Sequence, residues 1–550
     1  MAKTPLARSF LWAHRQILGA KRLGMPVSEF VGQVAEARTR RRDFLKSCAG
    51  AAALGVGLAG LPGGRAEAEE FRPHLPTVAI IGGGMAGLTC AWELKKRGIR
   101  STIYEASTRV NGRILTDRTT FASQGMFSDL GGEYIDTWHT SMRSIARRFD
   151  LTLLDYAEDA PLIDNYYDFE NRRRTTQELL SAYEPIAAAI DAAYDEFDKP
   201  NGTVLFDDAN GGERLDSLSV RAFLAPITAE PWIKKLIEVG YEAEFGLDAD
   251  QCNCLNMIYL ISTEVKKMKH KNVFDFYGGS DERFHCAQGN DAIPQAVAND
   301  LASGQVALER RLSAVRTLSD GRYCLTFTGG PEVTVNHVVF ALPFTMLRTV
   351  DLSGVTLPTW KQIAINEMAL GDITKVITGH TRRVWREQGF IGNSYSDRFF
   401  QTTTETSRMQ PGTTGILENY TGGSHALQMA QGTVASQVTF FHDQVENLFP
   451  GVKATYNGNK VRMAWNQHPF TRGAYSSYRV GEYTRFAGAE PLRVGNLHFC
   501  GEHTTVEWQG WMEGAARSGL DAAKEIASDL GLEVPSARTR QHPGTLSASG

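Results

Sequence analysis

Hydrophobic and polar positions are patterned unevenly along this chain, and the sharpest pattern begins at Val78. Val78-Ala79-Ile80-Ile81 is a continuous apolar run that ends in glycines, which predicts a short strand buried on both faces of a parallel sheet. Gly82-Gly83-Gly84-Met85-Ala86-Gly87 follows. Leu88, Ala91 and Leu94, with Cys90 and Trp92 beside them, then recur at helical spacing as far as Gly98, a residue type suited to a helix end. A second strand pattern over residues 101–104 ends in Glu105. Strand, glycine loop, helix, strand and acid in this order predict a dinucleotide site. The glycines let backbone amides approach a pyrophosphate at the positive end of the helix, and the acid accepts hydrogen bonds from a ribose. Near the other end, Asn496-Leu-His-Phe-Cys500 predicts a strand, and an apolar helical pattern follows Gly510 as far as Ile526. Residues 155–284 and 346–464 are richer in helical periodicity and aromatics.

A second apolar run, residues 49–61, has thirteen positions, short of the roughly 20 that cross a bilayer. No stable membrane span is predicted. Arg41-Arg42 with Phe44, Leu45 and Lys46 precede this run and Ala66-Glu67-Ala68 follows it. Residues 1–68 therefore resemble an N-terminal extension with a twin-arginine export signal and a small-x-small cleavage site. That resemblance implies a mature chain beginning near Glu69 and a periplasmic or secreted location. The tail, 534–550, is rich in Ser, Pro, Arg and Gly and predicts disorder.

Composition narrows the function classes. The 550 residues, 42% hydrophobic and 22% charged, suit a globular protein of two or three domains. Lys plus Arg number 58 against 62 Asp plus Glu, a formal charge of -4, so no field draws the protein to nucleic acid. Of seven cysteines, Cys48 lies in the export segment, while Cys90 and Cys500 lie in the motif regions. Cys252, Cys254, Cys286 and Cys324 remain as disulfide candidates for an oxidising compartment, and their spacing is not that of a zinc site. GxSxG, HExxH and clustered metal ligands are not found, so no metal is expected.

The residues after Glu105 identify the dinucleotide. Glu105-Ala106-Ser-Thr-Arg109 and Asn111-Gly112-Arg113-Ile-Leu-Thr116 place two arginines where they can neutralise phosphate, and Asp129-Leu-Gly131-Gly132-Glu133 comes next. At the far end stand Gly501-Glu502-His503-Thr504 and Trp508-Gln-Gly510-Trp511-Met512-Glu513-Gly514-Ala515. Together these motifs resemble the flavin-containing amine oxidases, the family of monoamine, polyamine and L-amino acid oxidases. Gln288-Gly289-Asn290-Asp291 and His337-Val-Val-Phe-Ala-Leu-Pro343 resemble two further segments of that family.

The resemblance implies an α/β fold, a Rossmann-like FAD-binding domain with an inserted α+β substrate-binding domain. The FAD domain takes 76–154, 285–345 and 465–530, and the substrate domain takes 155–284 and 346–464. The implied FAD contacts are Gly82, Gly84, Met85, Ala86, Gly87, Glu105, Ala106, Arg109, Arg113, Gly131, Gly132, Glu133, Gly501, Glu502, Trp511 and Met512. Gly371-Asp-Ile-Thr-Lys375 resembles the strand whose lysine is bonded through water to the flavin N5, so Lys375 is the catalytic candidate. Arg472-Gly473-Ala474-Tyr475 resembles a segment that carries a cysteine joined to FAD in some members. Here Ala474 takes that place, which implies noncovalent FAD. Tyr475 and Trp511 would form an aromatic cage over the ring, where aromatic faces favour a cationic or polarisable nitrogen.

Many L-amino acid oxidases carry an arginine just after the paired glycines to grip the carboxylate. This chain has Glu133-Tyr134-Ile135-Asp136 there, which resembles a bacterial group acting on basic L-amino acids. Glu133 is accordingly a candidate for pairing with a cationic substrate, and Arg472 a candidate carboxylate anchor. The leading expectation is oxidation of a basic L-amino acid by oxygen to an imine, then keto acid, ammonia and hydrogen peroxide. A biogenic monoamine or polyamine is the alternative, and a noncatalytic flavoprotein the remote one. The partners implied are a small amine or amino acid and oxygen, with a homodimer left open.

Overall fold

The glycine-loop pattern folds as its residues require. β1 (Val78–Ile81) runs into α1 (Met85–Lys96), and β2 (Ser101–Tyr104) returns parallel to β1, with Val78 beside Ser101. The computed structural model describes residues 76–532 except 200, 201 and 279. The export-signal pattern, Cys48 and the tail from Val534 lie outside the described residues.

Downstream come β3 (Ile163–Phe169), β4 (Arg172–Arg174), α2 (Thr176–Tyr194), α3 (Pro231–Phe245), α4 (Ala292–Asp300), β5 (Val306–Ala307) and β6 (His337–Phe340). After them stand β7 (Ile373–His380), β8 (Phe390–Ser396), β9 (Thr402–Glu405), β10 (Gly415–Gly422), β11 (Tyr456–Ala464), β12 (Leu497–Phe499) and α5 (Met512–Asp529).

Two sheets organise the site. The first has the order β12-β6-β1-β2-β5, with every neighbouring pair parallel. Its strands come from both ends of the described chain and from the middle. Apolar residues of α1, including Leu88, Ala91 and Leu94, share a core with Ala522, Ala523 and Ile526 of α5, and the Thr89 hydroxyl donates to the Ala516 carbonyl at 3.2 Å. The second sheet has the order β11-β7-β10-β9-β8-β3-β4 and is antiparallel except where β8 meets β3. α3 packs against β10 and β8 of this sheet. α2 begins with a reciprocal capping box between Thr175 and Glu178, which satisfies two otherwise unpaired amides.

The second sheet departs from the helical reading of residues 346–464. All eight residues of β7 are buried, polar Thr374, Lys375, Thr378 and His380 among them. A strand buried on both faces shows no period-two contrast between polar and apolar positions. Its polar side chains are satisfied internally instead: the Thr374 hydroxyl donates to the Ala426 carbonyl and that of Thr378 to the Leu417 carbonyl. The disulfide candidates also resolve differently. Cys252, Cys254, Cys286 and Cys324, with Cys90 and Cys500, are buried thiols outside any disulfide, and the Cys254 thiol donates to the Leu215 carbonyl at 3.0 Å.

Candidate active site

A cavity of about 500 Å³ opens where the carboxyl ends of β1 and β2 approach the second sheet, the place where open α/β sheets bind ligands. At one end α1 starts from Gly84 with no side-chain cap and no acid in its first turn, and Met85 and Ala86 line the cavity. Helix amides left uncapped in this way favour an anion. Glu105 accepts from the Gly83 amide at 2.7 Å and from the Ser107 amide at 2.8 Å, which fixes its carboxylate beside the glycine loop. Gly82, Gly84, Ala106 and Arg109 also line this end. Gly87 does not: a Cβ there would lie 2.0 Å from the Gly82 carbonyl oxygen, so its task is close packing of helix on strand.

The arginines are more engaged than phosphate neutralisation requires. Arg109 donates to the carbonyls of Val110 and Gly112, both at 3.0 Å, and so braces its own loop. Arg113 donates to Glu502 at 2.7 Å and to the Ala474 carbonyl at 2.6 Å. Glu502 also accepts from the Ser476 amide and hydroxyl and from the Gly510 amide. Burial alone would raise its pKa, yet Arg113, His503 and the Ser476 hydroxyl outweigh burial and bring it down to about 2. Glu502 is thus a permanent anion that ties three segments of the chain together. Trp511 caps α5 without a side-chain hydrogen bond, and Met512 opens the helix at the cavity wall. Gly131 and Gly132 pass close by, where a Cβ on Gly132 would lie 2.9 Å from Met512 Cγ. Uncapped helix starts at both ends of one cavity, a ribose-class acid and the glycine cradle fit FAD.

The second sheet supplies the other wall through its register. Lys375 of β7 lies opposite Tyr420 of β10, Tyr420 opposite Thr402 of β9, and Thr402 opposite Tyr395 of β8. This cross-strand row borders the cavity, and so does Glu418, two residues before Tyr420. Side chains two apart share a face and diagonal partners reach one another, so Glu418 meets Lys375. The Lys375 ammonium stands 3.0 Å from Glu133 and 3.2 Å from Glu418, and donates to the Asp129 carbonyl at 3.1 Å. Burial opposes its charge, but Glu418 and Glu133 together outweigh burial and hold its pKa above the usual lysine value. Lys375 is a buried cation rather than a surface lysine. Burial pushes Glu418 up, with Lys375 pulling the other way and Glu133 reinforcing the rise.

Glu133, expected to face substrate, therefore has its carboxylate engaged by Lys375. Asn290 of the Gln288-to-Asp291 motif donates to the Gly132 carbonyl at 3.1 Å and steadies the loop that presents Glu133. Tyr475 and Trp511 both line the cavity. The Tyr475 hydroxyl meets that of Tyr420 at 2.8 Å, and the Trp511 ring packs edge-on against His139. Arg472 is exposed and is not among the lining residues, so it does not serve as a carboxylate anchor here. The arginines that do line the cavity, Arg109, Arg113, Arg310 and Arg311, sit on or beside the dinucleotide loops.

Sequence reasoning missed Glu418, Tyr420, Tyr395, Tyr277, Glu244 and Glu282, all of which border the cavity. Ile416-Leu417-Glu418-Asn419-Tyr420 shows no period-two contrast, so β10 offers no local signal for Glu418 or Tyr420. Among the described residues one group of metal-ligand type exists, His337, His498 and Asp529, with ligand atoms within 4.8 Å of one another. Pairing of β6 with β12 brings its histidines together, and they share a hydrogen bond at 3.2 Å outside the cavity lining.

Comparison with known proteins agrees with this geometry. The chain is similar to the L-amino-acid oxidase of Siganus canaliculatus, 26% identical over 482 residues that cover 83% of this chain and 87% of that protein. It is similar also to the flavin-containing amine oxidase of Danio rerio, 22% identical over 483 residues, with 82% and 86% covered. Among solved structures, cyclohexylamine oxidase from Brevibacterium oxydans IH-35A superposes with a TM-score of 0.71 at 22% identity, covering 83% of this chain and 99% of that one. Wild-type putrescine oxidase bound to putrescine gives 0.69 at 20% identity, covering 82% and 99%. These structures share the fold. Residues 85–527 match the family described as flavin containing amine oxidoreductase, and the chain belongs to that family.

Proposed function

We propose that the protein is an exported, FAD-dependent oxidase that oxidises a basic L-amino acid such as arginine or lysine to its imine, with oxygen reduced to hydrogen peroxide and the imine hydrolysed to a keto acid and ammonia. The observation that carries the reading is the cavity itself, which joins a dinucleotide cradle to a chamber bordered by Lys375, Tyr475 and Trp511. Held by the glycine loop, Glu105 and the start of α5, FAD would supply two-electron redox capacity beside this chamber.

The chain's own residues supply orientation and charge. Tyr475 and Trp511 offer aromatic faces to the amine, and the Tyr420 hydroxyl fixes the ring of Tyr475. Lys375 holds a fixed positive charge in the chamber wall, balanced by Glu133 and Glu418; preorganised charge of this kind acts without reorganisation cost during a reaction. Ala474 lines the cavity where some relatives carry a cysteine, and the lining contains no cysteine, which supports noncovalent FAD. The Arg41-Arg42 motif supports export with cleavage after Ala68.

A second reading, a biogenic monoamine or polyamine as substrate, is favoured by the lack of an arginine at the substrate end of the lining. Peroxide release by the purified holoenzyme with L-arginine, L-lysine, phenylethylamine and putrescine separates the two. Turnover confined to the basic amino acids is expected, and turnover confined to the simple amines contradicts the first reading.

A further inference from the structure

Among the described residues, carboxyl groups outnumber cations at the substrate end of the cavity. Glu133, Glu244, Glu282 and Glu418 border it, against Lys375. Glu133 and Glu418 are the two carboxylates beside the Lys375 ammonium. Glu282 is placed differently. Among the described residues its carboxylate has no hydrogen-bonding or ion-pairing partner, although its backbone is tightly held. Its amide donates to Asp136 at 3.0 Å, and Asp136 in turn accepts from the Ser280 hydroxyl. The backbone at Glu282 is left-handed, with φ of 37°, a conformation that costs free energy for a residue with a side chain. Strain of this kind persists where the surrounding structure enforces it, often beside a ligand.

We infer that Glu282 is the specificity-determining residue that receives the side-chain cation of the substrate, at the end of the chamber bordered by Glu244, Tyr277 and Tyr395. The assignment rests on the amine oxidase reading above and adds to it the residue that selects charge. A half-buried carboxyl group without a partner among the described residues is costly to ionise unless a cation meets it, and guanidinium and ammonium groups are the matching donors. Burial raises the Glu282 carboxyl to about 8, with Asp136, Glu244 and Glu133 adding to the rise and Arg408 opposing it. A bound cation would replace that proton. Tyr277 and Tyr395 join hydroxyls at 3.0 Å, so their rings form a fixed aromatic border that a cation also favours.

The test compares FAD-loaded full-chain enzyme with E282Q on L-arginine and L-citrulline, which match in shape and differ in charge, and on putrescine and butylamine. Wild type is expected to favour the cationic member of whichever pair it oxidises. In E282Q the ratio of kcat/KM between cationic and neutral members should fall about 30-fold or more, as expected when one partner of a buried charge pair is removed. A ratio unchanged in E282Q overturns the assignment. So does a wild type that treats both members alike, a result that stands even if E282Q fails to load flavin. A wild type whose flavin no amine reduces contradicts the oxidase reading itself, and equal retention of L-arginine by wild type and E282Q in equilibrium dialysis then overturns the Glu282 assignment as well.

Discussion

Lys375 shows how one side chain can be legible in sequence while its partners are not. Its place in an apolar stretch announces a lysine that must be either partnered or neutral, and the structure finds it partnered on two sides, by Glu133 and Glu418. Glu133 could be singled out because it follows the paired glycines. Glu418 could not, because it reaches Lys375 only through the register of β7 on β10, which nothing in the local sequence encodes. Replacing Lys375 by Met leaves two buried carboxylates without their cation, a change that costs about 3 kcal/mol or more when one partner of a buried pair is lost. K375M is expected to retain FAD yet to slow flavin reduction or reoxidation by about 100-fold, the lower range for loss of one preorganised charge. Stopped-flow absorbance measures both half-reactions, and wild-type rates in both would remove Lys375 from the mechanism.

At the scale of elements, the two halves of the site differ in how much the sequence discloses. β1, α1 and β2 follow one another within 27 residues, so strand, loop and helix signals are local, and the observed bounds fall where the apolar runs end. The seven-stranded sheet is assembled from segments that begin at Ile163 and end at Ala464. β9 is Thr-Thr-Thr-Glu and β8 carries Asn393, Ser394 and Ser396. Buried hydroxyls that bond one another, as Ser394 and Thr403 do at 2.7 Å, erase the alternation that would mark these strands. Glu502 belongs to this scale because it joins the segment before α5 to the segment after β11 through Ser476, Gly510 and Arg113. Its pKa in the folded protein, about 2, lies below that of an unfolded glutamate. Its stabilisation is therefore complete above the ordinary carboxylate range and is lost as pH falls toward 2. E502Q should unfold at lower denaturant than wild type at pH 7, by about 3 kcal/mol, and the gap should narrow steadily between pH 5 and pH 2. A gap independent of pH would show that the carboxylate charge does not hold these segments.

Across the whole molecule, one cavity draws its lining from both sheets and from segments between Ile81 and Ala515. Neither sheet closes the site alone. The first sheet contributes the uncapped start of α1 and the ribose-class acid, the second contributes the Lys375 row, and the loop at Gly131 to Glu133 bridges them. Motifs at the two ends of the sequence could foretell the first half because they carry backbone requirements, glycines and helix starts, that few other residues meet. The chamber at the other end is built from ordinary Tyr, Thr and Glu residues whose meaning comes from position alone. The central claim is that this joint cavity holds a flavin that an amine can reduce. Its most direct test is anaerobic mixing of purified holoenzyme with L-arginine while the yellow flavin absorbance is followed. The account expects the colour to bleach in a single turnover and to return when oxygen is admitted, with one peroxide formed per flavin. A flavin that stays yellow with L-arginine and with every other amine offered, in correctly folded protein, would contradict it.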